Sequence, residues 1–194
     1  MLEGMKKHIG WAVLMGSLAL AQGSMGQTSQ AKGPVKVVLK AIKTEKNPAG
    51  TVTFYDDTNT TGVLHTVEQV IYPFFPPVRG MHFPVWANCG IYLKTIDPRL
   101  VVHSMEHGAL WVTYKSTTTA AQLSFLQGLV KASPAYRIMS MENRQTADVV
   151  LTAWGVQLVV NTWDEKAIKA FADQYTNGST TPEQGAPCSG GLTP

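Results

Sequence analysis

Four of the five histidines of this chain lie within one stretch of it, at His65, His82, His103 and His107. Neutral imidazole is the commonest metal ligand among protein side chains. A set of histidines suits copper or zinc, whereas calcium and magnesium prefer clustered carboxylates, which the sequence does not offer. The histidines therefore predict a metal site, with copper as the expected metal and zinc as the alternative.

The last two of these histidines belong to the segment His103-Ser-Met-Glu-His107, which contains the inverted zinc-peptidase pattern His-x-x-Glu-His. That chemistry needs a sustained helix, because residues four apart on a helix lie on one face. Pro98 precedes the segment and Gly108 follows it at once, so we expect at most a turn or two of helix. A metallopeptidase is accordingly the weaker interpretation. In an extended chain the two histidines would be about 13 Å apart, so a shared ion requires a turn here.

Three further side chains near the histidines have types that suit a copper site. Met81 and Met105 carry thioethers, which favour Cu(I), although methionine is also a common filler of protein cores. Glu106 is the expected catalytic residue, either as a proton donor or as a partner that orients a ligand imidazole. His65 has an alternative role as a core histidine on an apolar strand, and a structural role stays open for the other histidines.

The strands and helices that the sequence indicates around these side chains predict an α+β fold. Alternating and β-branched runs indicate strands over 35–42, 51–55, 63–72, 110–114, 136–141, 149–154 and 156–160. Thr118 is the expected cap of a helix from 119 to about 132, and a second helix starts with Asp164 and ends at Tyr175. We therefore expect a mainly antiparallel sheet with two helices on one face, partly ferredoxin-like.

The segment from Pro73 to Pro84 is expected to be a stiff, irregular loop that carries His82. It contains four prolines and a glycine, a composition that rules out a helix. Rigid loops on a scaffold are frequent places for ligand-binding residues.

The start of the chain has the order of an export signal. Lys6 and Lys7 are followed by an apolar run over 11–21, which is too short to span a bilayer and ends in a small-x-small cleavage site. We expect a signal peptide over 1–21, a flexible linker over 22–34 and one α+β domain over 35–194 with a Pro/Gly-rich tail. The protein is thus expected in the periplasm, cell envelope or cell surface, and no transmembrane span is expected in the mature chain. A buried N-terminal helix is the alternative to the signal peptide.

Charge and cysteine content narrow the possible partners. The net charge of +3 is small, and no basic stripe is present, so nucleic acid is not an expected partner. Cys89 and Cys188 are the two cysteines, and an even count in an exported chain favours a disulfide. Thiolate ligation of a metal by Cys89 is the alternative.

Several motifs together resemble a known family. They are His65, Tyr72, Pro76-Pro77, Gly80-x-His82-x-Pro84-x-Trp86, Cys89-Gly90-x-Tyr92, Val102-His103-Ser104-x-Glu106-His107-Gly108, Trp111-x-x-Tyr114, Ala153-Trp154-Gly155 and Gly185-Ala186-Pro187-Cys188. With these residues the sequence resembles a bacterial exported family catalogued as a domain of unknown function, number 3105 in that series. The resemblance covers about 60–190 and implies that the histidines, both cysteines and Glu106 belong to one family pattern. Many relatives have proline where this chain has Met81, so a thioether there is particular to this protein.

The function expected from these residues is that of an exported copper protein, most concretely a copper-only superoxide dismutase. That activity needs a Cu(II)/Cu(I) couple, three or four imidazoles and an open coordination position. Superoxide, or another small substrate, requires no organic pocket, which agrees with the lack of a cofactor fingerprint. The alternatives are a copper chaperone or store without turnover, a structural accessory of a cell-envelope protein complex, and a zinc metallopeptidase.

Overall fold

The computed structural model describes residues 33–58 and 62–194. The predicted signal peptide and nearly all of the predicted linker lie outside these residues. The described residues belong to one compact unit. Within them, no helix combines the length and the apolar character that crossing a membrane requires.

The main sheet has seven strands and is mostly antiparallel. The elements in chain order are β1 Val35–Lys36, β2 Leu39–Asn47, β3 Gly50–Asp57, β4 Val70–Ile71, β5 Gly90–Ile91, α1 Pro98–Glu106, β6 Leu110–Tyr114, α2 Ala120–Lys131, β7 Arg137–Met141, β8 Val149–Ala153, β9 Val156–Val160 and α3 Glu165–Tyr175. The strand order is β2-β3-β9-β8-β6-β7-β5, and β1 pairs separately with β4. The pairs β6–β7 and β5–β7 are parallel and the other pairs of the large sheet are antiparallel. The predicted α+β class and mainly antiparallel sheet are confirmed.

Helices α2 and α3 cover one face of this sheet, as predicted. Thr119, one residue after the expected cap, accepts a hydrogen bond from the N–H of Gln122, whose side chain accepts from the N–H of Thr119 in return. Asp164 caps α3 by accepting from the N–H of Ala167. The apolar residues of both helices join the inward-facing side chains of the central strands in one core cluster. This side of the sheet is therefore a conventional hydrophobic layer.

Helix α1 lies on the opposite face and is longer than the sequence indicated. Its nine residues begin at Pro98, where the missing N–H costs nothing, and the side chain of Asp97 accepts from the N–H of Arg99. Met105 of α1 joins a second core cluster with Trp111 of β6, whose neighbours along that strand face the first cluster. The expectation of at most a turn or two of helix was thus too short, since an aspartate cap and an N-terminal proline favour a helix start.

The predicted strand over 63–72 is wrong apart from its end. Only Val70–Ile71 is a strand, and His65 makes one isolated parallel bridge with His82. Val63 and Val67 are exposed, and Thr66 accepts a hydrogen bond from the N–H of Glu68 in a local turn. The apolar alternation therefore reflects exposed loop residues and not a half-buried strand.

The predicted disulfide between Cys89 and Cys188 is present, which removes thiolate ligation of a metal by Cys89. It joins the C-terminal tail to the loop before β5. The Cys89 N–H also donates to the carbonyl of Cys188, at 2.8 Å. The tail also lies next to the end of α1, because the N–H of Glu183 donates to the carbonyl of Glu106.

Candidate metal centre

Three of the predicted histidines and Glu106 meet in one cluster. The group consists of His65, His82, His103 and Glu106, and one ligand atom from each lies within 4.8 Å of all the others. The side chains of His82 and Glu106 are 0% and 2% exposed, whereas the side chain of His65 is 40% exposed. The cluster, which we call the His3Glu cluster, is therefore buried on one side and open to solvent at His65.

Helix α1 and the loops before and after β4 bring these four residues together. His103 and Glu106 are three residues apart on α1, a spacing that places both on one helix face. The other two histidines come from the loops before and after β4, where the N–H of Thr66 donates to the carbonyl of His82 at 2.7 Å. The N–H of His82 donates back to the carbonyl of Leu64 at 3.2 Å. This bridge holds the loop histidines side by side against the helix.

Backbone carbonyls determine which nitrogen of each buried ring carries the proton. The Nδ1 atom of His82 lies 2.8 Å from the carbonyl oxygen of Gly80, and Nδ1 of His103 lies 2.6 Å from that of Phe83. A carbonyl oxygen only accepts hydrogen bonds, so Nδ1 is the protonated nitrogen in both rings. In the neutral form of either ring, Nε2 then carries a free lone pair, as a metal ligand requires.

The carboxylate of Glu106 faces these lone pairs. Its Oε2 atom is 3.0 Å from Nε2 of His82 and 3.5 Å from Nε2 of His65. Ligand atoms on a tetrahedral ion with bonds of about 2.0–2.1 Å are about 3.3 Å apart. The distance to His65 is close to this spacing, whereas the distance to His82 is that of a hydrogen bond. An imidazole lone pair and a carboxylate packed this closely in a buried site need either a proton or a metal cation between them.

The protonation states also suit a cation. Burial is the largest influence on His103 and, with the nearby imidazoles, lowers its pKa from 6.5 to about 4, against the opposing hydrogen bond to Phe83. Burial raises the pKa of Glu106, but the hydrogen bond with His82 and the charges of the neighbouring histidines outweigh it and hold that pKa below its usual value. At neutral pH His103 is therefore neutral and Glu106 is ionised, which are the forms that bind metal.

His107 lies beside the His3Glu cluster and not in it. Its ring centroid is 4.7 Å from that of His103, yet its Nδ1 atom bonds the carbonyl oxygen of Pro187 at 2.8 Å. Its Nε2 atom lies 3.4 Å from Oε2 of Glu183, which the sequence did not single out. A contact across nearly eighty residues leaves no local signal in the sequence.

The two predicted methionine ligands occupy different surroundings. Met105 is fully buried in the apolar cluster beneath α1. Met81 is half-buried, and its backbone carbonyl accepts a hydrogen bond from the hydroxyl of Tyr72 at 2.8 Å. A ligand role for either thioether stays a prediction from the sequence.

Two tryptophans form walls around the histidines. The ring centroid of Trp86 lies 5.4 Å from that of His103 and 4.7 Å from that of His107, and Trp154 lies edge-on to His82 at 5.9 Å. The sequence did not predict either as a site residue, although both occur in the family motifs. Bulky aromatic rings exclude water here, and a drier environment strengthens electrostatic attraction for a cation.

A cavity of about 580 Å³ lies near the N-terminal end of α1 and does not reach the His3Glu cluster. Tyr72, Phe75, Arg99 and Arg144 contribute to its wall, and no histidine does. Arg99 is paired with Asp97 at 2.7 Å, and Arg144 is paired with Glu142. The His3Glu cluster is therefore approached at His65 and not through this cavity.

Comparison with known proteins identifies a family but no activity. A family model described as "Protein of unknown function (DUF3105)" matches residues 64–190. This range includes the His3Glu cluster, His107 and both cysteines. No curated protein and no solved structure matches the chain.

Proposed function

We propose that this chain, which belongs to the DUF3105 family of proteins of unknown function, binds a copper ion at His65, His82, His103 and Glu106. The observation that carries the proposal is the convergence of acceptors. Two buried rings donate their Nδ1 protons to backbone carbonyls, and the carboxylate of Glu106 faces their Nε2 side. With neither a second proton on His82 nor a metal cation, this arrangement brings like partial charges together in a buried place.

The donor set narrows the class of metal. Imidazole ligands suit copper, zinc, iron and nickel, and among divalent ions of the first transition row copper binds such sites most tightly. A single carboxylate among three imidazoles does not make a calcium site, because calcium takes six to eight oxygen ligands. Copper is therefore our first choice of metal, with zinc as the second, and the cell envelope remains the proposed location.

Superoxide dismutation is the activity that we propose for this centre. Bound copper supplies a one-electron couple, so that one superoxide ion is oxidised to dioxygen while a second, with two protons, is reduced to hydrogen peroxide. His65 is the donor at the solvent-exposed side, where a small anion reaches the cluster. Glu106, the predicted catalytic residue, holds its negative charge against the imidazoles and keeps them oriented.

A structural metal site is the second candidate, and one observation favours it. Structural zinc sites are closed by four protein ligands, and this cluster also offers four, drawn from two parts of the loop and from α1. In that role the ion fastens the loop around His65 and His82 to the helix. A metallopeptidase is less favoured, because Glu106 lies within the donor group while His107 turns toward Glu183.

The test combines metal analysis with an assay on one sample of the protein isolated from its own cells. One copper ion per chain, with superoxide consumption that chelation abolishes, supports the proposal. Copper without turnover indicates a store or chaperone, and zinc with an unfolding temperature that falls on chelation indicates a structural ion. Glu106→Gln is the test variant, and Glu165→Gln on the exposed start of α3 is its control. Absence of any bound metal would overturn the proposal.

A further inference from the structure

We propose that His107 and Glu183 form a second metal site beside the His3Glu cluster, one that takes a divalent ion of the zinc and copper class. The proposal does not need the first ion to be copper or the protein to be a dismutase. It rests on the direction of the His107 ring, on the distance to Glu183 and on the way in which the tail holds Glu183 in place.

The His107 ring points its Nε2 atom toward the carboxylate of Glu183. Its Nδ1 atom lies 2.8 Å from the carbonyl oxygen of Pro187, which only accepts, so Nδ1 carries the proton of the neutral ring. The neutral form of the ring leaves Nε2 as an acceptor, and this atom faces the carboxylate of Glu183. This repeats the arrangement of His82 with Gly80 and Glu106, in which a carbonyl sets the tautomer and a carboxylate stands opposite.

The distance between the two groups fits a shared ion better than a direct ion pair. Charge-assisted N–H···O bonds are short, about 2.7–2.9 Å. Nε2 of His107 and Oε2 of Glu183 are 3.4 Å apart. That is close to the separation of about 3.3 Å between neighbouring ligands of a tetrahedral zinc ion.

Contacts of the C-terminal tail hold Glu183 next to His107. The N–H of Glu183 donates to the carbonyl of Glu106 at 3.0 Å, so the second carboxylate is tied to the residue that carries the first. The side chain of Asn177 accepts from the N–H of Gly185 at 2.9 Å, and the disulfide secures the chain at Cys188. Backbone bonds on both sides of Glu183 thus limit how far its carboxylate can move from His107.

The exposure of the pair distinguishes this site from a closed structural one. The side chain of His107 is 5% exposed, but that of Glu183 is 56% exposed. Two protein ligands leave coordination positions for water or a substrate, as in metal sites that exchange ligands. The ion is therefore expected to bind more weakly than the ion of the His3Glu cluster and to be removed first by a chelator.

The experiment is a zinc titration of the metal-free protein. Calorimetry measures the binding during the titration, and elemental analysis after gel filtration counts the ions that stay bound. The wild-type protein should bind a tight ion and a weaker second ion. Glu183→Gln should lose the weaker ion and keep the tight one, while Glu106→Gln should lose the tight one and keep the weaker. Glu165→Gln should keep both ions, and unchanged circular dichroism confirms that each variant is folded.

The possible failures are distinguishable. A single ion in both the wild-type protein and Glu183→Gln overturns the second site and leaves the His3Glu proposal intact. A single ion whose affinity falls in His107→Ala assigns His107 to the first ion and also overturns the second site. If the wild-type protein binds one ion weakly and none tightly, the His3Glu proposal alone is overturned.

Discussion

The Nε2 atom of His82 lies 3.0 Å from Oε2 of Glu106, while Nδ1 of the same ring lies 2.8 Å from the carbonyl oxygen of Gly80. Both ring nitrogens of this fully buried histidine thus face oxygen atoms, and a neutral imidazole has a proton for only one of them. The Nδ1 atom keeps that proton and donates it in the hydrogen bond to the carbonyl, so the contact with Glu106 requires either a second proton or a metal ion. Copper or zinc meets this requirement together with His65 and His103.

Removing the charge of Glu106 should weaken metal binding. Glu106→Gln keeps the size of the side chain but replaces a carboxylate with a neutral amide. Loss of a partner outside the coordination sphere typically costs about 10–100-fold in metal affinity, so loss of a direct ligand should cost about 100-fold or more. Competition with a chromophoric chelator measures the change, and Glu165→Gln is the matched control. Equal affinities in the two variants would exclude Glu106 from the donor set.

Acidification should destabilise the metal-free protein between about pH 6.5 and pH 4. Burial lowers the pKa of His103 from 6.5 to about 4 in the folded protein, so the unfolded chain takes up a proton in this range that the folded chain does not. Stability is therefore lost as the pH falls, and His103 alone accounts for at most about 3 kcal/mol. Urea unfolding at a series of pH values measures the slope. His103→Gln should flatten it, and an unchanged slope in that variant would contradict the assignment.

Met105→Leu should leave metal binding unchanged. Met105 is fully buried in the core cluster beneath α1, so a side chain of similar volume is expected to cost less than about 1.5 kcal/mol. Chelator competition and urea unfolding on the same sample separate the two effects, with Met81→Leu tested in parallel. A large fall in Cu(I) affinity in the Met105 variant would support the thioether ligand predicted from the sequence.

Removing the disulfide should lower stability and weaken the proposed site at His107. Cys89 and Cys188 are 99 residues apart, and opening a loop of that length costs about 4–5 kcal/mol in the chain-entropy model. Pro187, whose carbonyl orients His107, is the residue before Cys188. The double variant Cys89→Ser with Cys188→Ser is compared with the wild-type protein by urea unfolding and zinc titration. Unchanged binding of the weaker zinc ion would show that the tail is held without the disulfide.

Local sequence signals predicted most of the scaffold. The strand over 110–114 and the helix ending at Tyr175 have the predicted positions, because apolar period and capping residues act over a few neighbours. The predicted strand over 63–72 is wrong over 63–69, because among the described residues this part makes only the single bridge of His65 with His82, and strand pairing is a long-range event. The length of helix α1 was underestimated because Pro98 and Gly108 were interpreted as helix breakers. Pro98 in fact stands at the first position of the helix, where proline is favourable.

The sequence by itself determined the types of side chain at the site: the concentrated histidines, the carboxylate within the helical motif and the two cysteines that pair. Only the tertiary structure decided their grouping, placing His65 beside His82, assigning Glu106 to the donor set and turning His107 toward Glu183. The reason is physical. Whether Nε2 of a histidine can bind a metal depends on whether Nδ1 of the same ring donates its proton to a carbonyl. The carbonyls of Gly80, Phe83 and Pro187 reach these Nδ1 atoms only when the loops and the tail fold against α1.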